Sequence, residues 1–292
     1  MSRTFEPDPA RLSLNSATLR DQWTLAELIE ACARHDIGAI SPWRDKLDEL
    51  GVARAAAMIR AHELTVTGLC RGGVFPAADA AGRRAAIDDN RRAIDDAAAI
   101  GARCLILIAG GLPPGSRDLV GARAMVRDGL AEILARARSA GVPLALEPLH
   151  PMYCADRACV NTLDQALDLC DEIDPDGRVP DRSGHAPKAA LGVAVDAYHV
   201  WWDPNHPAAI RRAGAHRLLG FHLCDWLVPT TDLLLDRGMM GDGVIDLPAL
   251  REHVYGAGYD GFDEVEILST RWWAVDGDEV VRTVKTRHLR CT

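Results

Sequence analysis

"ARAMVRDGLAEILARARSAGVPLALEP" (122–148) contains the repeating unit that decides the fold. Apolar residues in its first twenty positions recur at helical spacing, and a glycine ends that run. The short apolar run "VPLALEP" (142–148) follows directly and predicts a buried strand that ends in a glutamate. A helix that leads straight into a buried strand is typical of α/β folds.

The same unit recurs along the chain. The predicted strands are "RLSLN" (11–15), "IGAIS" (37–41), "LTVTGLC" (64–70), "RCLILIAG" (103–110), "VPLALEP" (142–148), "ALGVAVDAYH" (190–199), "LLGFHLCD" (218–225) and "FDEVEIL" (262–268). Helices are predicted over 24–35, 81–101, 122–141, 162–173 and 280–289, with Asn161 or Thr162 as the cap of the fourth. Eight strands that alternate with helices predict a (β/α)8 TIM barrel, formed by residues 1–292 as a single domain. The rival fold, a doubly wound open sheet, often has a glycine-rich phosphate turn after its first strand, and none follows here.

Composition limits the function. The chain has 292 residues, 48% of them hydrophobic, which is enough for a sizeable core. Its net charge of −9 opposes non-specific binding to nucleic acid. The opening "MSRTFEPDPARLSL" has no apolar run of signal-peptide length, and no stretch resembles a membrane span. We therefore expect a cytoplasmic protein, and since none of its eight cysteines forms a CxxC pair, we expect free and mostly buried thiols.

Ionisable residues collect at the carboxyl ends of four consecutive predicted strands, the end where such barrels have their active site. Glu147 ends the fifth strand, Asp196 ends the sixth, His222 lies in the seventh, and Glu264 and Glu266 lie in the eighth. Clustered acids repel one another unless a cation joins them. A donor set of three oxygens and one nitrogen is suited to Mn²⁺, Mg²⁺ or Co²⁺. Structural zinc sites, by contrast, are rich in sulfur ligands.

Other residues near these ends are candidates for contact with a substrate. His150 follows Glu147 closely, Trp226 follows the seventh strand, and Asn15 and Arg71 end the first and third strands. No other basic residue is expected beside Arg71, which favours an unphosphorylated or carboxylated polyol over a phosphorylated one. By contrast, the polar insert 174–189 precedes the sixth strand, so Asp181, His185 and Lys188 are expected at the opposite end.

Three motifs, "LEPLHP" (146–151), "GVAVDAYHVWWDP" (192–204) and "RGMMGDGVIDL" (237–247), together with "VEI" (265–267), resemble the xylose isomerase-like TIM-barrel superfamily of sugar phosphate isomerases and epimerases. The resemblance covers nearly the whole chain. It implies that Glu147, Asp196, His222 and Glu266 bind one divalent ion, with Mn²⁺ favoured and Mg²⁺, Co²⁺ or Zn²⁺ as alternatives. It also implies that His199 and Arg237 contact the substrate, and that the protein forms a homodimer or homotetramer.

The chemistry of such a site follows from its parts. A divalent ion that binds a hydroxyketone lowers the pKa of the adjacent C–H and stabilises an enediolate. Glu147 and Glu266, on either side, would remove and return the proton, which gives epimerisation or aldose–ketose isomerisation of a sugar, ketose or related polyol. If Glu266 is a ligand, then Glu264 lies one layer deeper and orients the site, because strand side chains alternate. The residues two positions before the other ligands are small and leave room for Glu264: Ala145, Ala194 and Gly220. Ser13 and Asn15 of the first strand are its expected hydrogen-bond partners.

Three alternatives remain open from the sequence. A metal-dependent lyase or dehydratase, such as a dehydroshikimate dehydratase-like or C-glycoside-cleaving enzyme, shares the first proton abstraction. An endonuclease IV-like hydrolase needs more metal ligands, particularly on strands two and three, whose ends read "AISPWRD" (39–45) and "GLCRGGVF" (68–75) without a histidine. A non-catalytic binding protein would retain the metal site as structure.

Overall fold

Parallel strands form a nearly closed barrel in the computed structural model, which describes residues 5–175, 178–179 and 188–292. The strands are β1 (Leu12–Asn15), β2 (Ala39–Ser41), β3 (Thr65–Val66), β4 (Leu69–Gly73), β5 (Leu105–Ile108), β6 (Leu144–Glu147), β7 (Arg178–Val179), β8 (Lys188–Ala189), β9 (Leu191–Asp196), β10 (Leu218–Leu223), β11 (Asp225–Trp226), β12 (Arg237–Gly238) and β13 (Asp263–Val265). The barrel sheet has the order β3-β2-β1-β13-β10-β9-β6-β5-β4, and β7–β8 and β11–β12 form two small antiparallel pairs. The predicted TIM barrel is confirmed.

The third predicted strand, 64–70, is two strands in the structure. β3 pairs with β2, whereas β4 pairs with β5 and continues to Gly73. The backbone N–H of Thr67 donates to Ile40, on the side of β2, and that of Leu69 donates to Cys104, on the side of β5. The two pieces therefore occupy one position in the ring and bring its two edges together.

Helices connect the strands and cover the outside of the barrel. They are α1 (Leu25–Arg34), α2 (Arg44–Leu50), α3 (Val52–Ala61), α4 (Ala80–Ile100), α5 (Leu119–Ala140), α6 (Leu163–Ile173), α7 (Ala197–Val200), α8 (His206–Arg217), α9 (Leu247–Gly256), α10 (Thr270–Trp273) and α11 (Gly277–Cys291), with short 3-10 turns at Pro9–Arg11, Ser16–Leu19 and Pro151–Tyr153. All five predicted helices are present. Of the two predicted caps for α6, it is Thr162 that accepts from the backbone N–H of Gln165.

Large apolar side chains fill the layer between the strands and the helices, whereas the barrel interior is lined by small ones. Cys70, Cys104, Ile106, Ala145 and Ala194 pack together inside the barrel. All eight cysteines are free, as predicted, although Cys154 is exposed. No helix in the described part of the chain is both long and apolar enough to span a membrane.

The polar insert before β9 is only partly described. Lys188 donates to the backbone oxygen of Ala215, which precedes β10, and to Asp260, which precedes β13. It therefore lies at the amino ends of the strands, as predicted. Asp181 and His185 lie outside the described residues.

Candidate active site

The four predicted metal ligands come together at the carboxyl ends of the strands. Glu147 ends β6, Asp196 ends β9, His222 lies on β10, and Glu266 directly follows β13. Their ligand atoms all lie within 4.8 Å of one another, and none of the four residues is more than 5% exposed. In the part of the chain that the structure describes, this is the one such group of His, Cys, Asp and Glu side chains.

The unpaired atoms of this cluster fit a bound cation. His222 Nδ1 lies 2.9 Å from Glu147 Oε1, yet neither atom, nor His222 Nε2, has a hydrogen-bond partner with suitable geometry. Buried polar atoms are seldom left without a partner. Lone pairs of an imidazole and a carboxylate that lie this close can be shared by one divalent ion.

The electrostatics of the cluster also favour a cation. Burial raises the pKa of Asp196 to about 7, and the charges of Glu147 and Glu266 act in the same direction against that of Arg237. Burial alone would lower the pKa of His222, but the charges of Glu264, Glu147 and Glu266 raise it well above its ordinary value. Both shifts reflect an excess of negative charge that a divalent ion would neutralise.

Arg237 inserts its guanidinium between two of these carboxylates. Its Nη1 lies 3.2 Å from both Asp196 Oδ2 and Glu266 Oε2, and its guanidinium carbon lies 4.5 Å from the centre of the Tyr198 ring. One guanidinium cannot neutralise three carboxylates. Each carboxylate oxygen has two lone pairs, so the oxygens bound by Arg237 keep capacity for a metal ion.

Asp225 holds the segment that carries Arg237. Its carboxylate accepts from the backbone N–H groups of Trp226, Gly241, Gly243 and Ile245 at 2.8–3.0 Å. A side chain at Gly243 would place its Cβ 2.1 Å from the backbone oxygen of Trp226, so only glycine allows this approach. The motif 237–247 thus folds back onto β11 and directs Arg237 into the cluster.

Glu264 lies in the barrel interior beneath the cluster, as predicted. Its Oε1 accepts from Asn15 Nδ2 at 2.7 Å, its Oε2 accepts from Thr67 Oγ1 at 2.7 Å, and Oε1 lies 3.6 Å from His222 Nε2. A carboxylate on this side favours the proton on Nε2, which leaves Nδ1 as the ligand atom. Ser13 is not a direct partner: its hydroxyl contacts Thr67 at 2.9 Å, and Thr67 lies between it and the glutamate.

Asn15 has a different place from the substrate contact that was predicted. Its amide nitrogen donates to both Glu264 and Glu266, and its oxygen accepts from the backbone N–H of Ala17. The residue is fully buried. Because its polar atoms are all bonded within the protein, Asn15 orients the two glutamates.

His199 lines the pocket beside Arg237. Its Nδ1 accepts from the backbone N–H of His150 at 3.2 Å, and its Nε2 lies 3.4 Å from Arg237 Nη2 and 3.6 Å from Asp196 Oδ2. Burial, followed by the charge of Arg237, lowers the pKa of His199 well below its ordinary value. The imidazole is therefore neutral, and it faces the site.

His150 and Trp226, which the sequence predicts to contact substrate, are not among the residues that line the cavity. The ring of His150 stacks on Trp226 at 5.0 Å and meets Trp202 edge-on at 5.6 Å. Its Nδ1 accepts from the backbone N–H of Met152, and burial lowers its pKa to about 4. The turn Pro151–Tyr153 directs the ring of His150 into this aromatic cluster. The backbone N–H of His150 holds His199 in place through the hydrogen bond to its Nδ1.

The cavity above the cluster encloses about 430 Å³, including open space at its mouth. Arg71 lines it as predicted, together with three residues that sequence reasoning missed: Trp43, Tyr153 and Arg157. Trp43 Nε1 donates to Glu266 Oε1 at 3.2 Å. Its position just beyond the second predicted strand was a usable signal, whereas Tyr153 and Arg157 lie in a loop with no pattern of its own.

The fold and this cluster define a (β/α)8 barrel with a candidate metal site at the carboxyl ends of its strands. The chain belongs to the xylose isomerase-like TIM barrel family, whose model matches residues 27–284. A search of curated proteins finds no match.

Solved structures agree with this assignment. Protein SMc04130 from Sinorhizobium meliloti 1021 is 53% identical, with a TM-score of 0.91 over 97% of this chain and 99% of that one. An IolI protein with a bound zinc atom is 21% identical, with a TM-score of 0.76 over 95% and 96% of the two chains. A D-psicose 3-epimerase studied in the presence of D-fructose is 16% identical, with a TM-score of 0.73 over 95% and 96%. At these lower identities the last two show the fold alone.

Proposed function

We propose that the protein is a divalent-metal-dependent isomerase or epimerase that acts on a sugar, a ketose or a related polyol. The observation that carries the proposal is the placement of two glutamates in one pocket. Glu147 and Glu266 both line the cavity, and β9 and β10 lie between the strands that carry them. A substrate held between them has a carboxylate on each side.

The surroundings of the two glutamates differ. Glu147 Oε1 has no hydrogen-bond partner within the described structure, so the carboxylate keeps lone pairs both for a metal ion and for a proton from a substrate carbon. Glu266 accepts from Asn15, Trp43 and Arg237, which fix its orientation for returning a proton. A bound divalent ion would act as a Lewis acid on the substrate oxygens and acidify the neighbouring C–H.

Arg237 and His199 supply the remaining groups. Both are buried and both line the pocket, so their N–H groups can donate to a substrate oxygen that gains negative charge when the proton leaves. The resulting enediolate can be reprotonated on the same carbon or on its neighbour. The first outcome is epimerisation and the second is isomerisation.

The likeness in fold to a D-psicose 3-epimerase supports this choice of chemistry, and the IolI structure shows that a protein of this fold can bind a zinc atom. The donor set of three oxygens and one nitrogen favours Mn²⁺ for this chain. We further propose a small-molecule polyol as the ligand and a homodimer or homotetramer as the assembly.

The test is proton exchange with solvent. The Mn²⁺-loaded protein is incubated in D₂O with D-fructose, D-psicose, a 3-keto-glycoside and dehydroshikimate, and deuterium in the recovered sugar is measured by mass spectrometry. We expect the wild type and the surface control Glu252→Gln to exchange deuterium into a ketose. Glu147→Gln and Glu266→Gln should lose exchange by about a hundredfold or more while Glu266→Gln retains bound metal.

Undiminished exchange in Glu266→Gln would contradict the proposal. Elimination, seen as an absorbance change without deuterium in the recovered sugar, would show a lyase or dehydratase instead.

A further inference from the structure

Two arginines line the same cavity as the glutamates, and no carboxylate in the described structure forms an ion pair with either of them. Arg71 lies on β4, and Arg157 lies in the loop after β6. Their guanidinium carbons lie 5.7 Å from the Trp43 ring centre and 5.3 Å from the Tyr153 ring centre, respectively. Neither guanidinium has an ion pair or hydrogen bond within the described structure.

The two guanidinium groups line one cavity, where the charge of Arg157 acts on Arg71. Burial, and next the charge of Arg157, lower the pKa of Arg71, and this repulsion exceeds the attraction of Asp45. Like charges held on aromatic surfaces in one cavity are costly when the protein supplies no carboxylate between them. An anionic ligand would relieve that repulsion.

The position of the pair distinguishes it from other unpaired arginines. Arg103 also stacks on an aromatic ring, with 4.8 Å to the centre of Phe262, but it precedes β5 and does not line the cavity. Arg71 and Arg157 instead share the cavity with Glu147 and Glu266. Because the carboxylates repel an anion, an acidic substrate would bind with its anionic end toward the arginines.

We propose that Arg71 and Arg157 form an anion subsite, and that the substrate is an acidic sugar whose carboxylate or phosphate monoester binds there. This inference rests on the proposed function, since it assigns the hydroxyketone end of the same molecule to Glu147 and Glu266. The sequence favoured an unphosphorylated or carboxylated polyol because no second basic residue was expected beside Arg71; Arg157 now joins it in the fold, so a phosphorylated substrate is included as well.

Guanidinium groups bind planar carboxylates and phosphates through paired charge-assisted hydrogen bonds. Removal of one such arginine is expected to weaken binding of the anion about tenfold or more. A neutral sugar of the same shape should bind equally well to the wild type and to the variants. That difference separates recognition of the anion from general damage to the pocket.

The experiment is calorimetric titration of the Mn²⁺-loaded protein with D-fructose, D-fructuronate and D-fructose 6-phosphate. We expect at least one of the two acidic sugars to bind about tenfold or more tightly than D-fructose. Arg71→Gln and Arg157→Gln should each remove most of that advantage, while the control Arg103→Gln retains it. The tighter of the two acids identifies the anionic group as carboxylate or phosphate.

Equal binding of all three sugars, or equal weakening of neutral and acidic sugars in both variants, would overturn the subsite. Titration with inorganic phosphate separates this result from failure of the proposed function. Phosphate binding that both variants reduce, without deuterium exchange into any ketose, would retain the subsite and reject the isomerase. Deuterium exchange into D-fructose, without binding of phosphate or of the acidic sugars, would retain the isomerase and reject the subsite.

Discussion

At the scale of single residues, Glu264 and Glu266 are two positions apart but have different contacts. Glu266 lines the cavity and belongs to the candidate metal cluster. Glu264 is held beneath it by Asn15 and Thr67 and faces His222 Nε2. The difference favours Glu266 as the proposed metal ligand and Glu264 as the residue that orients His222.

Glu264→Gln tests that assignment. A neutral amide no longer favours the proton on His222 Nε2, so the lone pair on Nδ1 is less available as a ligand. We expect Mn²⁺ affinity to fall about 10- to 100-fold with the fold retained, as measured by calorimetry and circular dichroism. Unchanged metal affinity in a folded variant would refute the role given to Glu264.

The residues that the sequence predicted well are those whose place follows from strand position alone. Glu147, Asp196, His222 and Glu266 lie at strand ends, and parallel strands in a barrel bring those ends together. Asn15, His150 and Trp226 were placed at the correct end of the barrel, but their orientation depends on hydrogen bonds and ring contacts made by distant segments. Sequence periodicity carries no information about those contacts.

At the scale of elements, the segment 237–245 depends on one carboxylate. Asp225 accepts from three of its backbone N–H groups, and the antiparallel pair β11–β12 places Arg237 opposite Trp226. Helices α2, α3, α7, α8, α9 and α10 were not predicted individually, because several are short and tertiary packing stabilises short helices. The motif "GMMGDG" (238–243) was noticed, yet its attachment to Asp225 appears only in the fold.

Asp225→Asn tests the attachment. An asparagine has one acceptor oxygen, so part of the set of hydrogen bonds is lost. We expect the amides of Gly241, Gly243 and Ile245 to exchange with solvent deuterium about tenfold faster or more, because local opening becomes easier. Native-state hydrogen exchange followed by mass spectrometry measures this.

Asp246→Asn is the matched control in the same segment. Asp246 caps α9 by accepting from the backbone N–H of Ala249, and asparagine caps a helix equally well. Its exchange rates should stay at the wild-type values. Equal rates in Asp225→Asn and the wild type would contradict the anchoring role.

At the scale of the whole molecule, consecutive side chains of strand β13 point to opposite faces, one toward the candidate site and the other toward the helices that surround the barrel. Glu264 points into the barrel, whereas Asp263 points outward and accepts from Arg251 at 2.6 Å, His288 at 2.7 Å and Tyr255 at 2.8 Å. These partners belong to α9 and α11, so one buried carboxylate joins the last strand to two helices. Burial would raise the pKa of Asp263, but the hydrogen bond from His288 and the charge of Arg251 lower it overall.

Asp263→Asn is expected to lower the free energy of unfolding by about 3 kcal/mol at pH 7, because Arg251 would keep a buried charge without its partner. Urea denaturation measures this, and Mn²⁺ affinity should not change. The control Asp260→Asn removes the ion pair between the exposed Asp260 and the partly buried Lys188, and it should cost about 1 kcal/mol or less. A similar loss in both variants would contradict the account.

The pH dependence of this contribution has a defined sign. The native pKa of Asp263 is lowered, so its stabilising effect is fully present above the unfolded pKa of about 3.9. The effect decreases as the pH falls through the native pKa. The difference in stability between wild type and Asp263→Asn should therefore shrink as the pH falls below about 4, the unfolded value, toward the lowered native pKa.

The central claim is that Glu147, Asp196, His222 and Glu266 hold one divalent ion in the cavity. Anomalous diffraction from a crystal of the protein loaded with Mn²⁺ tests it most directly. The account predicts a single strong anomalous peak at ligand distance from all four side chains, with Glu264 outside that distance. A crystal with full Mn²⁺ loading that shows no peak among the four residues, or a peak bound by Glu264, would contradict it.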